Sequence, residues 1–122
     1  MMQLKTIEKN GIKIAVITSP ELLITDVQTA LDLLVTVRYE TDCDRIVMNK
    51  GSVSEAFFVL SSGLAGDVLQ KFSNYQTKLA IVGDYSRYTS KPLRDFIRES
   101  NRGNQVFFTA TEDEAVERLS EA

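Results

Sequence analysis

The stretch Lys78-Leu79-Ala80-Ile81-Val82-Gly83-Asp84 carries four consecutive apolar side chains, from Leu79 to Val82. Successive strand residues point to opposite faces, so such a run is at home only where both faces are covered. A central parallel strand within 77–84 is therefore expected, with helices above and below it. Parallel neighbours need crossover connections, so the remaining sequence must supply helices between strands.

It does so in a regular order. Asn10-Gly11 separates two runs with apolar residues at Leu4 and Ile7, then Ile12, Ile14 and Val16. Both turn residues tolerate positive φ, which predicts a hairpin of strands over about 3–9 and 12–18. Pro20 stops the second strand. Thr25 is placed to cap a helix from Asp26 to about Arg38, where Val27, Ala30, Leu31 and Leu34 keep helical spacing and Leu33, Val35 and Val37 widen the apolar face. Residues 45–50 and 105–110 read as further strands.

Leu64, Val68, Leu69, Phe72 and Tyr75 define one face of a helix within 60–75. Ser90 caps another helix, with Pro92 in its first turn, Leu93, Phe96 and Ile97 inward and Gly103 after its end. Thr111 and Glu114 have capping-box spacing ahead of Ala115, Val116 and Leu119. The segment 51–60 reads as an irregular loop or a short extra helix, with Phe57 and Phe58 as core residues. The fold class is α/β: a mixed, mainly parallel five-stranded sheet flanked by helices, in the order β-β-α-β-α-β-α-β-α. Residues 1–122 are expected to form a single domain.

Composition narrows the function. The chain has 43% hydrophobic and 25% charged residues and a net charge of −3, which argues against nucleic-acid binding through a general basic surface. No apolar run approaches membrane-spanning length, no signal peptide is recognisable, and Cys43 is the lone cysteine. A bacterial-type cytoplasmic protein is expected. The absence of histidine removes His-dependent nucleophilic triads and His-based metal sites. No catalytic residue, metal or cofactor is assigned. Asp42 and Asp44 flank Cys43 in what reads as a loop.

Three groups of residues are candidates for function. Ser61, Ser62, Gly63 and Gly66 lie at the start of the helix within 60–75. Hydroxyls, bare backbone and unpaired N–H groups there suit an anion or phosphorylation, although a capping serine and a tight turn explain the same pattern. Asn49, Asp84, Tyr85, Ser86 and Thr109 fall at the carboxyl edge of the predicted sheet, where ligands collect in open α/β folds. Arg87, Lys91, Arg94, Arg98 and Arg102 form a basic stripe, with Lys91, Arg94 and Arg98 as a partner-facing patch. Asp95 and Glu99 lie within pairing distance, as on an ordinary solvated helix.

The element order and Ser61-Ser62-Gly63-Leu64, followed by Val68-Leu69, resemble the STAS domain of the anti-sigma-factor antagonists. That family's phosphorylated loop reads roughly Asp-Ser-Ser-Gly-Leu; Leu60 stands here in place of the aspartate. A second resemblance spans nearly the whole chain. Residues 63–75, 78–103 and the closing Glu112-Asp113-Glu114-Ala115-Val116-Glu117-Arg118-Leu119 are similar to the bacterial domain-of-unknown-function 4180 family. The last stretch, with its strand ending in Val82-Gly83-Asp84, also resembles the broader SpoIIAA-like proteins.

These resemblances imply a STAS-like fold and a non-enzymatic signalling or protein-interaction module, switched by phosphate at Ser61 or Ser62. A protein partner is expected, and an exposed edge strand in the first hairpin leaves room for a homodimer. The alternative expectation is a small-ligand-binding protein or enzyme with a pocket at the carboxyl edge of the sheet.

Overall fold

The computed structural model describes residues 2–122. Its first elements are strands β1 (Gln3–Lys9) and β2 (Ile12–Thr18), paired antiparallel from Gln3–Thr18 to Lys9–Ile12. Asn10 and Gly11 turn the hairpin with φ of 53° and 76°, the double positive φ that an Asn-Gly turn accommodates. Helix α1 (Val27–Thr41), β3 (Arg45–Asn49), α2 (Leu64–Asn74), β4 (Lys78–Val82), α3 (Lys91–Arg102), β5 (Val106–Thr109) and α4 (Glu112–Glu121) follow. Three single 3-10 turns, Lys50–Ser52, Glu55–Phe58 and Leu60–Ser62, bridge β3 to α2.

The strands lie in sequence order, β1-β2-β3-β4-β5, and every pair after the hairpin is parallel. Three consecutive right-handed crossovers that all advance in one direction must place their helices on the same face of the sheet. Accordingly α1, α2 and α3 share one core with Ala15, Ile17, Ile46, Met48, Leu79, Ile81, Val106 and Phe108. The alternate residues Ile14, Val16, Val47, Ala80 and Phe107 face the other way and pack on Ala115, Val116 and Leu119 of α4. Leu79, Ala80 and Ile81 are fully buried, so the apolar run is covered on both sides as its composition requires.

Local differences from the sequence expectation have physical causes. Asp26, not Thr25, caps α1: its carboxylate accepts from the Thr29 N–H while the Thr29 hydroxyl accepts from the Asp26 N–H, a reciprocal cap. Val35 is 49% exposed, so only Leu33 and Val37 widen the α1 face. The helix within 60–75 begins at Leu64, because Gly63 turns left-handed at φ 79° and ends the preceding 3-10 turn. Tyr75 falls beyond the helix and is exposed. Glu114 closes its cap on the Ala110 N–H. Phe57 and Phe58 are core residues, and Cys43 is buried with a free thiol.

Candidate functional site

The carboxyl edge of the sheet gathers the residues that follow β3, β4 and β5. Asn49 ends β3, and its side chain bridges to β2: Oδ1 accepts from the Ser19 N–H at 3.0 Å and Nδ2 donates to the Ser19 carbonyl at 2.8 Å. Tyr85 is half-buried and donates its hydroxyl to the Ile81 carbonyl. Burial and the neighbouring Tyr88 push its ionisation well above the ordinary phenol range. Thr109 ends β5, buried, and donates to the Thr111 carbonyl. Asp84 is exposed and accepts from the Ser86 N–H at 2.9 Å, an Asx turn that lowers its pKa from the usual 3.8. The structure thus brings this group to one edge, with each of these polar side chains engaged by the fold.

A cluster that the sequence reading missed lies beside them. Lys50 follows β3 directly, and its amine sits 4.9 Å from the Phe58 ring centroid and 5.0 Å from that of Tyr88. The two rings stack at 5.3 Å. Glu55, on the second 3-10 turn, accepts from Lys50 Nζ at 2.8 Å, from the Tyr88 hydroxyl and from the Arg87 guanidinium. The Lys50 bond, aided by Tyr88 and Arg87 and opposed by burial, holds the Glu55 carboxyl below its ordinary value. Burial disfavours the charged Lys50 amine, but the bonds to Glu55 and Tyr88 outweigh it, and its pKa rises. Gly83 leaves room for the Lys50 stem: a Cβ there would lie 2.6 Å from Lys50 Cβ. Glu55 and Arg87 are too far apart in sequence for a helical or strand period to connect them.

Ser61, Ser62 and Gly63 form an exposed turn ahead of α2, beside Val59, which is 53% exposed. Ser62 Oγ donates to the Ala56 carbonyl at 2.6 Å and accepts from the Leu64 N–H at 3.2 Å. It therefore ties the second 3-10 turn to the first residue of α2. Gly66 lies inside α2 and faces open space, so no packing contact requires its lack of a side chain. Lys91, Arg94 and Arg98 are exposed on α3, with Lys91 and Arg98 both paired to Asp95 at 2.7 and 3.1 Å. Arg102 pairs with Glu99. Among the described residues, no cluster of three acidic or thiol groups is arranged for a metal ion, and no helix is long and apolar enough to cross a membrane.

These elements define an α/β protein with a hairpin-led, mainly parallel sheet, three helices on one face and one on the other. The family model described as a domain of unknown function (DUF4180) matches residues 9–119, and the chain belongs to that family. The solved structure of the anti-sigma factor antagonist SpoIIAA in its unphosphorylated form is similar over 100% of both chains, with 18% identity and a TM-score of 0.49. A comparison with curated proteins finds no match.

Proposed function

We propose that this chain is a non-enzymatic, cytoplasmic signalling or protein-interaction module, presenting the turn Val59–Gly63 to a protein partner and switched by phosphate on Ser61 or Ser62. The observation that carries this reading is the Ser62 hydroxyl. Ser62 is an exposed residue, yet its hydroxyl joins the Glu55–Phe58 turn to the start of α2 through one donated and one accepted bond. A phosphoryl ester on that oxygen removes the donated bond and brings nearly two negative charges to a helix start. The switch would change both the shape and the charge of a turn that already exposes Val59. The polar groups at the neighbouring sheet edge are held by intramolecular bonds, which favours recognition by surface over chemistry in a pocket.

The second reading, a small ligand or substrate bound at the carboxyl edge, draws its support from the charge gathered there by Lys50, Glu55, Arg87 and Asp84. Gentle capture from native cells, with the wild type, Ser62→Asp and Val59→Asp run in parallel, separates the two. A stoichiometric partner that both substitutions release, together with phosphate on Ser61 or Ser62 in the wild type, is the expected result. Equal recovery from all three forms would overturn it. An unmodified, partner-free protein whose melting temperature rises with a small molecule would transfer the assignment to the sheet edge.

A further inference from the structure

Two open cavities lie against α3 and share the same pair of arginines. One, of about 390 Å³, is lined by Thr89, Lys91, Arg94, Asp95 and Arg98. The other, of about 360 Å³, is lined by Tyr85, Arg94, Ile97, Arg98 and Asn101. The charges between them are unequally satisfied. Asp95 takes both Lys91 and Arg98, whereas the Arg94 guanidinium makes no ion pair or hydrogen bond among the described residues. One carboxylate therefore sits among three cations, a local positive surplus in a chain whose net charge is −3.

The second cavity offers little polarity besides the arginines. The Tyr85 hydroxyl is tied to the Ile81 carbonyl, and the Asn101 amide clasps β5 through the Phe108 N–H and carbonyl. What remains is the Tyr85 ring and the Ile97 side chain as apolar walls. An occupant that fits both cavities pairs an anionic group with an adjoining apolar one.

We propose that the Arg94–Arg98 face of α3 docks an acidic peptide segment of a protein partner, its carboxylate held by Arg94 and Arg98 and a neighbouring aliphatic side chain laid against Ile97 and Tyr85. Guanidinium groups pair with carboxylates through paired hydrogen bonds, which gives such a surface orientation as well as attraction. Nucleic acid fits it less well. Asp95 and Glu99 interrupt the cations along the helix, and the apolar walls offer nothing to a phosphate backbone. The inference rests on the interaction-module reading, but it uses none of residues 59–66.

The test is fluorescence anisotropy of the full chain with a labelled Gly-Glu-Leu-Glu-Leu-Gly peptide, the same peptide with lysine for glutamate, and a short labelled DNA duplex. Saturable binding of the acidic peptide alone is expected. Arg94→Ala should weaken it about tenfold, the scale of one charged hydrogen-bond pair. Arg102→Ala should leave it unchanged, because Arg102 pairs with Glu99 and lines neither cavity. Both positions are exposed, and unchanged circular dichroism checks that each variant is folded.

No saturable binding would overturn the proposal, as would equal losses in the two variants, which indicate diffuse charge. DNA binding as tight as the peptide's, falling steeply with salt, would reassign the face to nucleic acid. Self-association abolished by Arg94→Glu would reassign it to a second copy of the chain. Loss of peptide binding with the Ser62-dependent capture intact would remove this surface and leave the first reading standing.

Discussion

At Gly83 the Lys50 stem lies where a side chain would begin. Adding a methyl group there must push Lys50 away from Phe58, Tyr88 and Glu55, or move the end of β4. Gly83→Ala is therefore expected to destabilise by about 1–3 kcal/mol in urea denaturation, as overpacking does elsewhere. Asn49→Ala is expected to cost a similar amount, roughly 1–3 kcal/mol, because it strands the backbone N–H and carbonyl of buried Ser19.

Glu55 adds a pH dependence. Its folded pKa lies below the ordinary 4.5, so its contribution is fully present above that value and is lost as the pH falls through the lower folded one. Solvent exposure keeps the effect modest. Glu55→Gln should lower the neutral plateau of a stability–pH curve modestly and flatten its acid limb by the same small amount.

At the scale of elements, the periods in the sequence locate the five strands and four α-helices of the described residues, because each element carries its own apolar pattern. The ends were less legible. Thr25 and Asp26 are both competent caps, and what decides between them is that Thr29 lies three residues from Asp26, where the two can bond reciprocally. Asp26→Ala should lower stability by about 1 kcal/mol, read from the denaturation midpoint. The start of α2 was hidden for another reason. Gly63 reads equally well as a first-turn residue and as the left-handed break that delays the helix to Leu64. Gly66→Ala should stabilise by about 0.5–1 kcal/mol, since its new methyl group meets open space on a helix. If the same substitution also weakened partner capture, Gly66 would belong to the recognised surface.

Across the whole molecule, the legible part is what adjacency in sequence determines. A hairpin followed by repeated crossovers leads to the sheet, and the handedness rule then leads to three helices on one face. The ring of contacts around Glu55 was not legible, because it joins Lys50, Arg87 and Tyr88 across the edge of a sheet that must first exist. The same applies to the candidate residues at that edge: the pattern delivered Asn49, Tyr85 and Thr109 to it, but only the folded geometry shows their side chains bound to the backbone.

The order of the strands also bears on how the chain is made. Each parallel strand joins a neighbour already synthesised, so a growing polypeptide can extend its sheet as it leaves the ribosome. The helices of the first face arrive with the strands they join. The opposite face, Ile14, Val16, Val47, Ala80 and Phe107, waits for α4, which follows all five strands. Until that last helix emerges, the nascent chain displays a sticky apolar sheet, and a ribosome stalled after β5 would hold a client for chaperones.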